Sequence, residues 1–128
     1  EWSSQPLAAD QNGWDWFSLH LAGDLKLMLF RLRHADGRHF HSGNWIDREG
    51  SHPLPTDGIG LMPLATSRVV GHDIPTAWRL SIPSRGFAVE TVPLNAQSYM
   101  ATRFPYWEGP IAFHGSHAGV GYLEMTGY

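Results

Sequence analysis

The chain has 128 residues, no cysteine, and nine Lys and Arg residues against twelve Asp and Glu residues. The lack of cysteine excludes disulfides, thiolate metal sites and a cysteine nucleophile, and a net charge of −3 argues against a nucleic-acid partner. Because 42% of the residues are hydrophobic and only 16% are charged, we expect one folded domain over residues 1–128 with a substantial core.

Turn-forming pairs recur along the whole chain at the spacing of hairpins, as at Gly23-Asp24 and Asp36-Gly37. The segments between them are rich in aromatic and β-branched residues, and several alternate between apolar and polar side chains. In chain order, they predict strands centred on residues 14–21, 25–34, 39–47, 58–63, 77–82, 87–92, 106–114 and 120–128. Residues 66–75 are predicted to form a loop, and 97–103 a short helical turn or an irregular crossover.

Hairpin connections between about eight to ten strands predict an all-β fold, an antiparallel β-barrel of the lipocalin or calycin kind. Closure into a barrel avoids long exposed edges, and a sandwich is the alternative. A barrel of this size has room inside for side chains or one small ligand. The longest strongly apolar stretch, 25–32, contains Lys26 and Arg31 and is shorter than the roughly 20 residues of a membrane-spanning helix.

The C-terminal hairpin has the sharpest two-residue alternation in the sequence. One face carries an apolar layer made of Trp107, Ile111, Phe113, Leu123 and Met125. The opposite face gathers Tyr106, Glu108, Tyr122 and Glu124. Partial burial raises the pKa of a carboxyl group, so Glu108, Glu124 and Tyr122 are candidate catalytic residues for acid–base chemistry. The alternative is a solvated or interface surface.

Aromatic residues form a second candidate feature. They could line a pocket for an apolar small molecule, as small barrels do at the mouth or interior, or they could be ordinary core residues. The candidate ligand-binding residues are Trp2, Trp14, Trp16, Tyr106 and Trp107. Arg31 and Arg33, which alternate with apolar residues, are predicted to form an outward polar row; the alternative is one buried Arg paired with a carboxylate.

The sequence gives little support for a metal site, a phosphate-binding loop or a serine-hydrolase active site. His39 and His41 share one strand face, but no third ligand has a suitable spacing, so we predict that they face water. The glycine-rich segments lack the Lys-Ser/Thr of a phosphate loop, and a nucleophile elbow is missing. We therefore predict no metal and no cofactor.

Several segments of the sequence resemble those of a known family. The chain resembles the C-terminal half of the AttH and carotenoid 1,2-hydratase-like family, predicted secreted bacterial proteins. The resemblance is carried by residues 1–4, 13–19, 27–33, 106–109 and 121–128, with support from 77–80 and 89–94. It implies a periplasmic or secreted protein of two lipocalin-like barrels, of which this chain would be the second. The partners it implies are the first barrel, an apolar small molecule and membrane-associated transport components.

Three functions fit this resemblance. The favoured one is a module that binds an extended apolar ligand, isoprenoid or lipid-like, as an accessory to transport. The second is part of a hydratase or isomerase acting on an isoprenoid alkene, such as a carotenoid. There Trp2, Trp14 and Trp16 would stabilise a carbocation, Glu108 or Glu124 would act as base, and Tyr122 would orient it. The third is a structural barrel whose Tyr/Glu face docks a partner domain.

Overall fold

A computed structural model describes residues 7–128, which form ten strands and two short 3-10 turns. The strands are β1 (Gln11–His20), β2 (Lys26–His34), β3 (His39–Asp47), β4 (Gly50–Pro53), β5 (Gly60–Val69), β6 (His72–Ile82), β7 (Phe87–Pro93), β8 (Tyr99–Met100), β9 (Tyr106–Gly115) and β10 (Gly119–Met125); the 3-10 turns are Thr56–Gly58 and Pro83–Arg85. None of the helical segments in this part of the chain is long and apolar enough to cross a membrane.

All ten strands belong to one antiparallel sheet. Its order is β4-β3-β2-β1-β10-β9-β7-β6-β5, and β8 pairs with β9. Within residues 7–128 the two edge strands β4 and β5 are not hydrogen-bonded to each other, so the sheet is not closed. It curves back on itself, since Trp45 of β3 packs edge-on against Phe87 of β7 with ring centroids 6.2 Å apart. The predicted all-β, antiparallel, lipocalin-like fold of eight to ten strands is confirmed.

The inner face of the curved sheet carries the core. Phe17 and Leu19 of β1 point inward, and the outward residues alternate with them. The apolar layer predicted for the C-terminal hairpin is confirmed, because all five of its members are buried there: Trp107, Ile111, Phe113, Leu123 and Met125. Phe17 meets Trp78 of β6 edge-on at 5.3 Å, which joins the two halves of the sheet across the interior.

The hairpin between β5 and β6 departs from the prediction. These strands run to Val69 and from His72, so the loop predicted over 66–75 is wrong and the turn has only two residues. Val70 has φ 47° and Gly71 has φ 79°. A β-branched residue rarely adopts positive φ, so Val-Gly is not a recognisable turn pair in sequence. The predicted irregular crossover over 97–103 is observed, with the short strand β8 inside it.

Candidate functional site

The outer face of the sheet brings the predicted acidic residues together. Glu108 of β9 and Glu124 of β10 are direct partners in the strand pairing, so their side chains leave the sheet side by side. The hydroxyl group of Tyr122 donates a hydrogen bond to Glu108 Oε1 at 3.1 Å. The three candidate catalytic residues therefore form one cluster on the outer face.

Three of the predicted aromatic residues adjoin this cluster. The indole Nε1 of Trp14 donates to Glu124 Oε1 at 3.0 Å, and Trp16 lies opposite Glu124 in the pairing of β1 with β10. The Tyr106 ring lies 6.1 Å from that of Trp14. We use the name acidic face for this set, which comprises Glu108, Glu124, Tyr122, Trp14, Trp16 and Tyr106.

The electrostatics of the acidic face favour protonated groups. Burial, together with the neighbouring carboxylate of Glu108, raises the pKa of Glu124, although the Trp14 hydrogen bond acts in the opposite direction. Burial and the same carboxylate raise the pKa of Tyr122. A half-buried carboxyl group with a raised pKa can hold a proton at higher pH than an exposed one and can deliver it to a bound molecule.

Apolar side chains surround the acidic face. Phe30 of β2 continues the row beyond Trp16, and Val120, which is 61% exposed, lies on the other side of Tyr122. Val92 of β7 pairs with Ala112 of β9, which pairs in turn with Val120. The outer face is thus unusually apolar for a sheet surface that faces solvent.

A second polar cluster lies on the inner face, where the sequence offered only the alternative of one buried Arg paired with a carboxylate. Asp15 is fully buried. It lies on the same face of β1 as Phe17, whereas its sequence neighbours Trp14 and Trp16 lie on the outer face. Its Oδ2 accepts hydrogen bonds from the Nε atoms of Arg31 at 2.7 Å and Arg33 at 3.3 Å. Its Oδ1 accepts one from the hydroxyl group of Tyr128 at 2.7 Å. We call Asp15, Arg31, Arg33 and Tyr128 the inner network.

The outward polar row predicted for the two arginines is wrong. The side chains of Arg31 and Arg33 are only 6% and 11% exposed, and both contact Asp15. Arg31 also lies over the Trp78 ring, 4.8 Å from its centroid. The two-residue period of a strand indicates this orientation, because counting in twos from Leu27 and Leu29 places both arginines on the core face.

The backbone conformation of Gly127 allows Tyr128 to contact the inner network. Gly127 has φ 88°, and a Cβ atom there would collide with the carbonyl of Asn12. The turn at Gly127 lets the Tyr128 ring stack under the guanidinium group of Arg33, 3.9 Å from its centroid. Arg33 also donates to the carbonyl of Thr126, which fixes the C-terminal segment against β2.

Tyr128 also lines a cleft of about 240 Å³. The cleft opens between the start of β6, the segment before β9 and the residues that follow β10. Most of its lining is apolar or aromatic: His72, Ile74, Tyr99, Phe104, Pro105, Trp107, Met125, Thr126, Gly127 and Tyr128. Trp107 is anchored there by an indole hydrogen bond to the carbonyl of Ala96 at 2.8 Å.

The predicted ligand-binding residues are divided between the two faces. Trp107 lines the cleft, whereas Trp14, Trp16 and Tyr106 belong to the acidic face. Trp2 lies outside the described residues.

The histidines have varied surroundings. The prediction that His39 and His41 face water holds for His39, which is exposed. It is wrong for His41, which is half-buried with Nδ1 2.9 Å from the carbonyl oxygen of Ile59. In the turn between β3 and β4, Asp47, Glu49 and His52 each offer one ligand atom within 4.8 Å of the others. His52 Nε2 lies 3.0 Å from Asp47 Oδ1, and this contact lowers the pKa of the Asp47 carboxyl. The trio is therefore explained as a turn stabilised by its own side chains.

A family model and a solved structure both relate this chain to AttH-like proteins. A family model described as AttH-like matches residues 1–128. An AttH protein of Nitrosomonas europaea has a similar structure, with a TM-score of 0.87 and 30% sequence identity over 99% of this chain and 42% of that one. No curated protein matches the chain.

A second solved structure has the same fold at lower identity. Kievitone hydratase from Nectria haematococca superposes with a TM-score of 0.73 and 20% identity, over 94% of this chain and 41% of its own. The chain thus spans less than half the length of both solved relatives.

Proposed function

The chain belongs to the AttH-like family, and we propose that it is a lipocalin-like module whose cleft binds the apolar part of an isoprenoid or lipid-like molecule. The observation that carries this proposal is the cleft beside Tyr128, walled by Trp107, Phe104 and Ile74. Concave sites with mostly apolar walls and a few polar groups are the usual binding sites for small molecules.

The size of the cleft favours an elongated ligand. At about 240 Å³ it is smaller than the roughly 300–1,000 Å³ of sites that enclose a drug-sized molecule. It therefore accommodates one end of a chain-like molecule. Phe104 at its rim is 61% exposed, and a bound chain would cover part of this apolar surface.

The proposal is tested by incubating the protein with the isoprenoid alcohol farnesol and recovering the complex by gel filtration. Mass spectrometry of the extracted ligand then separates binding from turnover. We expect farnesol to co-elute with the protein unchanged. Failure of farnesol to co-elute at concentrations where it remains soluble would contradict the proposal.

A second candidate function is hydration of an isoprenoid alkene on the acidic face. The specific observation is Glu124, a half-buried carboxyl group with a raised pKa, hydrogen-bonded to Trp14 and paired with Glu108. Glu124 would protonate the alkene, the indole rings of Trp14 and Trp16 would stabilise the carbocation, and Glu108 would take a proton from the attacking water. The fold of kievitone hydratase supports this candidate.

Turnover distinguishes the two candidates. A hydratase converts its substrate into a product heavier by one water molecule, and Glu124→Gln should abolish that product. Glu90→Gln is the matched control, since Glu90 is exposed and pairs with Arg79 on β6, away from the acidic face. Loss of product in both variants, or in neither, would exclude the assigned role of Glu124.

We also propose that the exposed apolar side chains around the acidic face pack against another domain of a longer chain. Two observations support this: Val92, Val120 and Tyr122 are exposed on the sheet surface, and both solved relatives are more than twice as long as this chain. The 128-residue chain alone should then self-associate with rising concentration, and Val120→Lys should reduce this. A monodisperse monomer in light scattering at all concentrations would contradict it.

The association with transport components and the periplasmic or secreted location stay predictions from the family resemblance.

A further inference from the structure

The inner network has one more positive charge than negative charge. Among residues 7–128, Asp15 is the only carboxylate in contact with Arg31 and Arg33. His39 and His41 lie opposite these arginines on β3. Burial and the nearby Arg31 guanidinium lower the pKa of both histidines, which favours their neutral forms, and an imidazole in either form cannot serve as a counter-anion. A largely buried cation without a counter-charge is costly, which makes this cluster suited to an anion.

One hydrogen-bonding atom of this cluster has no partner among residues 7–128, and a second makes only one long contact. His41 Nδ1 contacts the carbonyl oxygen of Ile59, so Nδ1 carries the proton and Nε2 of the neutral ring is an acceptor. Nε2 is buried without a hydrogen-bond partner among the described residues. Arg31 Nη1 is a donor whose contact is a 3.5 Å approach to His39 Nδ1. Arg31 and His41 are direct cross-strand partners, with Cβ atoms about 4.5–5.5 Å apart.

Side-chain exposure increases along the cluster toward β3. Asp15 is fully buried and Arg31 nearly so, while His41 is half-buried and His39 is exposed. At the other end, Arg31 Nη2 donates to the Tyr128 hydroxyl group at 3.2 Å, and Tyr128 lines the cleft. Tyr128 therefore connects Arg31 to the cleft, and the exposed His39 lies at the opposite end of the cluster.

From this arrangement we infer that Arg31 and His41 bind the phosphate group of a phosphomonoester whose apolar tail lies in the cleft, an inference that rests on the proposed function. Because its second pKa is about 6, a phosphomonoester near pH 7 is a mixture of dianion and monoanion, and the form assigned to this site is the monoanion, with one negative charge and one acidic proton. Its charge balances the surplus of the inner network. One oxygen accepts from Arg31 Nη1, and its P–OH donates to His41 Nε2. A carboxylate would lack the donor, and an alcohol would lack the charge.

The test compares farnesyl monophosphate with farnesol, which share one tail, by titration calorimetry at fixed ionic strength. Hydrogen bonds to charged groups predict that the phosphate binds roughly tenfold or more tightly. Arg33→Gln removes the surplus charge but keeps the Asp15–Arg31 pair, so the preference should fall to about threefold or less. Arg79→Gln, which removes a charge at an exposed pair, is the matched control and should leave the preference intact. Equal binding of the two compounds, or an undiminished preference in Arg33→Gln, would overturn the inference.

Inorganic phosphate separates this inference from the proposed function. It should raise the thermal midpoint of the wild-type protein relative to chloride at equal ionic strength, and Arg33→Gln should abolish that rise. If neither farnesyl compound binds, the proposed function fails; a phosphate effect that depends on Arg33 would then still support the anion site. The same midpoint with and without phosphate would exclude the anion site, whether or not farnesol binds.

Discussion

Arg31 donates a hydrogen bond from Nε to Oδ2 of Asp15 across 2.7 Å, in the interior of the sheet and on neighbouring strands. Asp15 is the point at which three donors meet, since Arg33 and Tyr128 contact the same carboxylate. One carboxylate thereby connects β1, β2 and the residues that follow β10. The inner end of the cleft depends on this connection, because Tyr128 is both a cleft wall and a partner of Asp15.

Asp15→Asn should destabilise the protein strongly. It leaves two largely buried guanidinium groups without a counter-charge, and breaking a buried pair in this way costs about 3–5 kcal/mol. Urea unfolding measures the change in the free energy of unfolding. Asp73→Asn is the control: Asp73 pairs with Arg68 at an exposed site, and its loss should cost under about 1 kcal/mol. Similar losses in both variants would show that the inner network does not stabilise the fold.

Glu124→Gln should leave the protein at least as stable as the wild type at pH 7. The amide oxygen still accepts the Trp14 hydrogen bond, and the like charge opposite Glu108 is removed, which is worth up to about 1 kcal/mol. The sign follows from the raised pKa of Glu124: its contribution to stability is fully present below the unfolded pKa and is lost as pH rises through the folded pKa. The difference in the free energy of unfolding between Glu124→Gln and the wild type should therefore grow in favour of the variant as the pH rises from 4 to 8. A variant less stable than the wild type at pH 7 would contradict this.

Val70→Asn should stabilise the β5–β6 hairpin. Val70 has φ 47°, and L residues with a branched Cβ pay a steric cost of about 1–2 kcal/mol in this region, whereas Asn tolerates it. We expect a gain of about 1 kcal/mol in the free energy of unfolding. Val120→Asn, at an equally exposed but extended position, should give no gain. A loss of stability in Val70→Asn would count against the strained turn.

The sequence predicted the strands and the faces of the C-terminal hairpin because alternation and turn pairs are local signals. Trp107 and Glu108, one residue apart, lie on opposite faces as the two-residue period requires. The β5–β6 turn escaped prediction because Val70 has no local preference for positive φ. The short strand β4 is defined by its pairing with β3, which no local pattern reports.

The acidic face was predicted from the sequence, whereas the inner network entered only as the alternative of one buried Arg paired with a carboxylate, without its partners. Glu108, Tyr122 and Glu124 lie on two strands of one hairpin, so sequence spacing alone brings them together. Asp15 and Tyr128 are 113 residues apart, and their contact depends on the pairing of the first strand with the last. Because charged residues are seldom fully buried, the prediction placed both arginines on the surface, although the two-residue strand period places them on the core face.

The central claim is that the cleft beside Tyr128 binds an apolar chain, and calorimetric titration with farnesol tests it most directly. Wild-type protein should bind one farnesol molecule, and Phe104→Ala, which removes an exposed wall of the cleft, should weaken binding about fivefold. Leu94→Ala, an equally exposed apolar residue that does not line the cleft, should bind like the wild type. No binding to the wild type, or the same loss of affinity in both variants, would contradict the claim.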